Sequence, residues 1–141
     1  TRRSSDLLAK SPEERNQIML QALGSDTFLM SSNAITEDGQ LFNIDSVANR
    51  VAALCFGPKS VVIVAGMNKI VPNLEAAYHR VRGFASPANA QRFPINTPCK
   101  LTGECGDCTG TDCICNQFVT TRLCKPAGRI KVILVGEDLG I

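Results

Sequence analysis

Blocks of apolar and polar residues along the chain predict strands that alternate with helices. The segment Ser60–Ala65 is continuously apolar and β-branched, which is typical of a central strand covered on both faces. A helix is predicted to open at Pro72, because apolar residues then recur at helical spacing and form one inward-facing stripe. The members of that stripe are Leu74, Ala77, Tyr78, Val81 and Phe84.

Capping signals predict two further helices. Ser11 followed by Pro12 supplies an N-cap residue and a proline at the first helical position, and Gly24 is the expected end of this helix. Ser46 is the predicted N-cap of a second helix over residues 47–56, which Gly57-Pro58 would stop.

Two short apolar runs, Thr27–Ile35 and Leu41–Ile44, flank an Asp38-Gly39 pair, a strong hairpin signal. Two more strands are predicted over residues 118–123 and 129–135. Strands alternating with helices, one of them without polar alternation, indicate an α/β layer fold with a largely parallel sheet and an antiparallel hairpin.

The length of 141 residues fits a single domain that buries roughly two-thirds of its unfolded surface. We therefore predict one domain over residues 1–141 with one excursion, a cysteine-rich loop at residues 96–116.

The formal net charge of +2, with no extended basic block, argues against nucleic acid as a partner. The longest apolar run, Val61–Met67, is far shorter than the roughly 20 residues that span a bilayer. With no hydrophobic leader and no scattered disulfide pattern, a cytoplasmic location is expected.

Five of the seven cysteines lie between Cys99 and Cys115, separated by glycines instead of core residues. Cys105 and Cys108 form a CxxC pair, Cys99 precedes them, and Cys113 and Cys115 follow. Four thiolates suffice for an iron–sulfur cluster, for which 4Fe-4S is expected, or for zinc; a disulfide-linked loop is the remaining alternative. One of the last two cysteines is then spare, and spacing leaves that choice open, although the position of Cys115 beside the next strand favours it.

Ligands of open α/β sheets gather at the carboxyl ends of the strands. Gly66, Asn68 and Lys69 follow the apolar strand, where a glycine lets a ligand approach and the two polar side chains offer donors to an anion. The adjacent carboxylates Glu137 and Asp138 follow the last strand and could accept a proton or orient a hydroxyl. Both loops also fit plain turns.

Other reactive residues have simpler interpretations. Glu37 lies in the hairpin turn, where a nucleophilic role is chemically feasible but turn preference alone explains the sequence. His79 is predicted to face solvent, off the apolar stripe of its helix. Cys55 is predicted to be a small core residue, and Cys124 to be structural.

Several segments together resemble the lactate-utilisation (LUD) domain family, from about residue 26 to the end of the chain. The segments that carry the resemblance are Ser32–Gly39, Asn43–Asp45, Asn49–Ala53, Phe56–Lys59, Gly66–Val71, Thr97–Cys99, the cysteine loop and Val132–Gly140. The resemblance implies a fold similar to the NagB/RpiA/CoA-transferase group, a three-layer α/β/α domain. It also implies a four-cysteine pattern that matches Cys99, Cys105, Cys108 and Cys115, with Cys113 at a position that is usually not cysteine.

Full-length family members carry a glycine-rich strand-to-helix turn upstream, and nothing like it precedes Asp26, so the chain resembles the C-terminal portion of a member.

The leading hypothesis is an accessory or redox protein of the lactate-utilisation type, with a cluster in the cysteine loop and a small-anion site at the strand ends. Expected partners are a small organic acid or other anionic small molecule and an iron–sulfur partner protein. One alternative is a CoA-transferase-like enzyme that uses Glu37, or Glu137 with Asp138, and has structural cysteines. The other alternative is a non-catalytic binding module stabilised by zinc.

Overall fold

A computed structural model describes residues 9–141, and this part of the chain contains seven strands and five α-helices. The strands are β1 (Thr27–Met30), β2 (Ala34–Thr36), β3 (Leu41–Asp45), β4 (Ser60–Gly66), β5 (Ile70–Val71), β6 (Gln117–Thr121) and β7 (Ile130–Val135). The helices are α1 (Pro12–Leu23), α2 (Asn49–Cys55), α3 (Leu74–Arg80), α4 (Ser86–Ala90) and α5 (Pro98–Thr102). A 3-10 turn (Met67–Lys69) follows β4, and a π-helical turn (Val81–Ala85) joins α3 to α4.

The strands form two sheets, and the α/β class is confirmed. The first sheet is entirely parallel in the order β1-β4-β7, and the second is mixed in the order β5-β2-β3-β6. The predicted Asp-Gly hairpin is β2–β3, in which Ala34 pairs with Phe42 and Gly39 has a φ of +89°. The hairpin therefore belongs to a second sheet and is not an extension of the parallel one.

The mixed sheet lies between the parallel sheet and the α3 region. One face of its β2–β3 hairpin carries Ile35 and Leu41, which pack with Val61 and Ile63 of the parallel sheet and with Leu54 of α2. Its opposite face carries a second apolar cluster, whose members are Ala34, Phe42, Ile44, Ala77, Val81 and Ala85. The core thus consists of two apolar layers, one on each side of the mixed sheet.

The outer face of the parallel sheet is less covered than its continuous apolar sequence predicts. Along β4, Val61 and Ile63 are buried, whereas Val62 and Val64 on the other face are half-buried. On that outer face Leu29 pairs in register with Val62 and is 69% exposed. No helix among residues 9–141 is both long and apolar enough to cross a membrane.

The helix at the N-terminal end follows its capping signals. The Ser11 side chain accepts a hydrogen bond from the Glu14 amide, and Gly24 is the C-cap of α1. The Ser46 cap is wrong, because the N-cap of α2 is Ala48, with a left-handed φ of 64°. The Asp45 carboxylate instead accepts the Arg50 amide at 3.1 Å.

Three predictions about side-chain orientation fail. Tyr78, expected on the inward-facing stripe of α3, is exposed. Cys55 is exposed and not a core residue, since α2 buries Val51, Ala53 and Leu54. Phe84 is also exposed, because the π-helical turn adds a residue to the helical repeat and places Ala85 in the core. His79 faces solvent, as predicted.

Candidate functional site

A cavity of about 800 Å³ opens at the carboxyl ends of the parallel strands. Ser31 follows β1, Lys69 follows β4, and Leu139–Ile141 follow β7, and all of them line it. Arg50 of α2 and Arg92 after α4 contribute two more cationic side chains to the wall. This position, outside the strand ends of a parallel sheet, is where open α/β folds bind ligands.

Lys69 is the most unusual side chain of the cavity. It is only 5% exposed, and its ammonium nitrogen donates to the Ser31 hydroxyl at 3.0 Å. Among residues 9–141, no carboxylate lies within ion-pair distance of it. Burial lowers the pKa of Lys69, and the positive charges of Arg80 and Arg50 lower it further. A buried cation without a counter-ion is costly, and a bound anion would offset that cost.

The arginines around Lys69 are held by backbone carbonyls and one carboxylate. Arg50 donates to the Ile44 carbonyl at 2.7 Å and forms an ion pair with Asp45 at 3.3 Å. Arg80 donates to the carbonyls of Asn68 and Asn33 at 3.0 and 2.7 Å. Burial lowers the pKa of Arg80. These contacts fix cationic groups around the strand ends.

Gly66 and Asn68 contact the segment that follows β7. A Cβ at Gly66 would lie 2.4 Å from the Leu139 nitrogen and 2.5 Å from the Glu137 carbonyl oxygen, so the glycine makes room for this segment. The Asn68 side-chain nitrogen donates to the Gly140 carbonyl at 3.1 Å, and its side-chain oxygen accepts from the Leu139 backbone N–H at 3.2 Å. Of the three predicted anion-binding residues, only Lys69 lines the cavity.

The carboxylates considered for catalysis lie elsewhere. Glu37 is exposed in the β2–β3 turn, and Glu137 and Asp138 are exposed in the segment after β7. None of the three lines this cavity or a second one of about 710 Å³ between α1 and the start of α2. Any catalytic role for them stays a prediction.

The five cysteines of the loop are all at least half-buried. Cys99 and Cys113 are buried, and Cys105, Cys108 and Cys115 are half-buried. All seven cysteines of the chain are free thiols. Within the described part of the chain, no group of three or more His, Cys, Asp or Glu side chains is arranged as a ready-made site for a metal ion.

The loop thiols influence one another electrostatically. Burial, a hydrogen bond with Cys113 and the charges of Cys113, Cys99 and Cys115 raise the pKa of Cys108 to about 11. Burial also raises the pKa of Cys115, whereas a hydrogen bond with Ser86 opposes that shift. Cys113, the alternative ligand, belongs to the same group and accepts the Cys115 amide at 3.4 Å. The choice between Cys113 and Cys115 stays a prediction.

Arg82 connects the π-helical turn to this loop. Its guanidinium donates to the Cys105 sulfur at 3.0 and 3.3 Å and to the Asp107 carboxylate at 2.7 Å. The Cys105 and Asp107 hydrogen bonds hold the pKa of Arg82 above its ordinary value. N–H donors to sulfur are typical of the surroundings of metal-bound thiolates.

The sequence interpretation missed Ser31, Arg50, Ser86 and Arg92. The rule that selected the loop after β4 would also have selected Ser31, which directly follows a parallel strand. Arg50, Ser86 and Arg92 carry no comparable local signal, because packing of helices against the strand ends places them in the wall.

Comparison with curated proteins and with solved structures gives no significant match. A family profile described as LUD domain, however, matches residues 2–135. The matched region includes α1 and begins well before the segments that carry the resemblance in sequence. Because it covers both sheets and the whole cysteine loop, the chain belongs to the LUD domain family.

Proposed function

We propose that this LUD domain acts in lactate utilisation as an accessory or redox protein that binds a small organic anion at the strand-end cavity. Membership of the family suggests the lactate-utilisation type of function. The observation that carries the proposal is Lys69, a buried ammonium in the cavity wall with a hydroxyl as its partner. A carboxylate such as that of L-lactate is the simplest counter-ion for it.

Arg50 supports the same assignment. It lines the cavity beside Lys69, while its ion pair with Asp45 and its hydrogen bond to Ile44 fix its position. Fixed donors cost little conformational entropy when a ligand binds, so a small acid gains affinity from them. Ser31 adds a hydroxyl that can accept from or donate to the ligand.

Binding of L-lactate by isothermal titration calorimetry tests the anion site. Lys69→Met should weaken the affinity about thirtyfold or more, equivalent to about 2 kcal/mol, because it removes the buried charge. The matched control is Lys59→Met, which alters an exposed lysine paired with Asp26 outside the cavity. Equal affinity in the wild type and Lys69→Met would refute the site.

Unliganded Lys69→Met protein has a second expected property. Removal of a buried charge that has no carboxylate partner in the described part of the chain should leave the free energy of unfolding unchanged or raise it by about 1 kcal/mol. A variant that binds poorly yet unfolds at equal or higher urea concentration identifies Lys69 as a binding residue and not a structural one.

We further propose that the cysteine loop holds an iron–sulfur cluster, with Cys99, Cys105, Cys108 and Cys115 as ligands and Cys113 as the alternative. The support is the chemistry of the donor set: five cysteines in one loop, with an arginine donating to the sulfur of one of them. Soft thiolates suit iron–sulfur clusters and zinc. When bound, a cluster supplies one-electron transfer, for which the expected exchange partner is another iron–sulfur protein.

Iron, acid-labile sulfide and zinc, measured on protein purified without oxygen, test this part. About four irons and four sulfides with absorbance near 400 nm support the cluster. One zinc without colour would instead favour the zinc-stabilised binding module, and no metal would refute both. Cys113→Ser should retain the cluster and Cys115→Ser should lose it; the reverse result would make Cys113 the fourth ligand.

A further inference from the structure

The strand-end cavity is much larger than the small acid that we place at Lys69. Its volume is about 800 Å³. At the packing density of a protein interior, L-lactate fills only about 100 Å³. A lactate bound to Lys69 therefore leaves most of the cavity unfilled, although cavities of this size commonly enclose most of a larger ligand. The rest of the wall should then indicate what else the ligand carries.

A second part of the wall, formed by the segment after α4 and by the cysteine loop, is apolar. Phe93, Pro94 and Ile95 of that segment line the cavity together with Ile114 of the loop. Met19 of α1 adds an apolar side chain that adapts easily to the shape of a ligand. Side chains of these types offer no hydrogen bonds, so they favour an apolar group on the ligand.

A hydrogen bond holds the two segments of this apolar wall together. The Asn96 backbone N–H donates to the Asp112 carboxylate at 2.8 Å. Asn96 directly follows Ile95, and Asp112 lies two residues before Ile114. Ile95 and Ile114 therefore line the cavity from segments that are fixed to each other.

The side chains of this wall are not part of the hydrophobic core. Phe93, Ile95 and Ile114 belong to neither of the two apolar clusters, and each is only half-buried. Apolar surface that faces water inside a cavity gains free energy when an apolar group covers it. The wall is thus able to add affinity for a ligand whose charged end lies at Lys69.

We infer that the ligand of this cavity is a carboxylic acid with an apolar chain, in which Lys69 binds the carboxylate and Phe93, Ile95 and Ile114 cover the chain. This inference rests on the proposed anion site and names the ligand class of that site, and it is independent of the cysteine thiols. L-Lactate, whose chain is a single methyl group, is then the smallest member of the class. Longer α-hydroxy acids fill more of the cavity and bind more tightly.

Calorimetry with α-hydroxy acids of different length tests the inference on the full chain. L-Lactate and L-α-hydroxyhexanoate share the carboxylate and the hydroxyl, and they differ by three methylenes. Each methylene should raise the affinity about threefold when it is mostly buried, so the longer acid should bind about 30-fold more tightly. The uncharged analogue 1,2-hexanediol has the same chain and should show no measurable binding, because it cannot neutralise Lys69.

Two kinds of variant separate the charged end of the ligand from its chain. Lys69→Met should weaken binding of the longer acid by the same factor as binding of L-lactate. Ile95→Asn should reduce the affinity ratio of the two acids from about 30 to about 3, because a polar side chain then faces the ligand chain. Phe93→Ser gives an independent test if Ile95→Asn fails to fold. The matched control is Leu101→Asn on α5, an exposed position outside the cavity, which should leave the ratio unchanged.

The outcomes distinguish this inference from the function on which it rests. Equal affinities of the two acids, with L-lactate binding that still depends on Lys69, would overturn the inference while the anion site stands. An unchanged ratio in both Ile95→Asn and Phe93→Ser would also overturn it, because the chain would lie elsewhere. If neither acid binds, the anion site itself is refuted, and the inference with it.

The exposed Arg92 beside Phe93 requires one more comparison. α-Hydroxyadipate has the same number of carbons as α-hydroxyhexanoate but ends in a second carboxylate, which Arg92 would attract. We expect the dicarboxylate to bind more weakly, because its second charge loses hydration against the apolar wall. Tighter binding of the dicarboxylate would overturn the inference, since the far end of the ligand would then be charged and not apolar.

Discussion

Lys69 shows how one side chain can be costly for folding and useful for binding. Its ammonium is almost completely buried, and the nearest charged groups that shift its pKa, Arg80 and Arg50, are themselves positive. The proton on Lys69 is therefore held less tightly than on an exposed lysine. A bound carboxylate would raise the pKa of Lys69 again, so anion binding and protonation of Lys69 favour each other.

The affinity for L-lactate should consequently depend on pH. Binding requires charged Lys69, so affinity should fall as the pH rises through the pKa of Lys69, which burial lowers below its ordinary value of 10.5. Lys69→Arg, which stays charged, should bind without this decline. Calorimetry from pH 7 upward measures both profiles. The same decline in Lys69→Arg would show that another group titrates.

Gly66 lies so close to the backbone of the segment after β7 that a side chain does not fit there. Because a Cβ there would overlap with Leu139 and Glu137 backbone atoms, Gly66→Ala must displace the segment after β7. We expect a loss of about 2 kcal/mol or more in the free energy of unfolding, measured by urea denaturation. Gly136→Ala is the matched control, since no atom lies within 4 Å of a Cβ built there. Equal stability of the two variants would contradict the packing role.

The strand-end rule predicted the region of the cavity but not the task of each residue. It selected Gly66, Asn68 and Lys69 together, yet Gly66 and Asn68 hold residues 137–140 and only Lys69 lines the cavity. A glycine at a strand end makes room equally well for a ligand or for the chain's own backbone. Which of the two occurs depends on the position of the segment that follows β7, and no local sequence pattern specifies that position.

At the level of elements, the π-helical turn Val81–Ala85 carries the arginine that contacts the cysteine loop. It turns Arg82 toward Cys105 and Asp107 while it keeps Val81 and Ala85 in the core. A uniform α-helical repeat predicts Phe84 in the core instead. The sequence pattern missed the turn because a π-helical turn changes the helical repeat without leaving a distinct local composition.

Arg82→Gln should therefore loosen the cysteine loop without unfolding the domain. The change removes charge-assisted hydrogen bonds to Cys105 and Asp107, although the exposed Asp107 contributes little because water screens it. Hydrogen exchange of residues 103–110 should become faster, while exchange in β4 stays unchanged. Arg122→Gln, which alters an exposed arginine after β6, should change neither. Unaltered exchange in the loop would exclude Arg82 as its tether.

At the level of the whole molecule, local pattern indicated most strands but not their division between sheets. The single predicted run Thr27–Ile35 divides into β1 and β2, which belong to different sheets, and β5 was not predicted. Continuous apolar sequence in β4 predicts cover on both faces, yet only the face toward the mixed sheet is fully buried. The hairpin signal at Asp38-Gly39 was correct because turn chemistry is local. Which partner β6 takes is not local, and it pairs with β3 across more than 70 residues of chain, far beyond the reach of periodicity.

The division of the core also predicts that the fold does not depend on the cysteine site. The first apolar cluster joins the two sheets and α2 without any cysteine, and Cys115 only flanks the second. Replacing Cys99, Cys105, Cys108, Cys113 and Cys115 together by alanine should cost roughly 1 kcal/mol for each of the two buried thiols, Cys99 and Cys113. A domain of this size has about 5–15 kcal/mol of stability, so it should remain folded.

A single core substitution supplies the comparison. Ile63→Ala, in the centre of the parallel sheet, should cost about 2–5 kcal/mol and so equal or exceed the effect of all five cysteine replacements. Urea denaturation followed by far-ultraviolet circular dichroism measures both variants. A five-alanine variant that lost its sheets would instead require metal binding and folding to be a single event, as in small zinc domains. The position of the cysteines beside the two apolar layers, and not within them, is why we expect the sheets to persist.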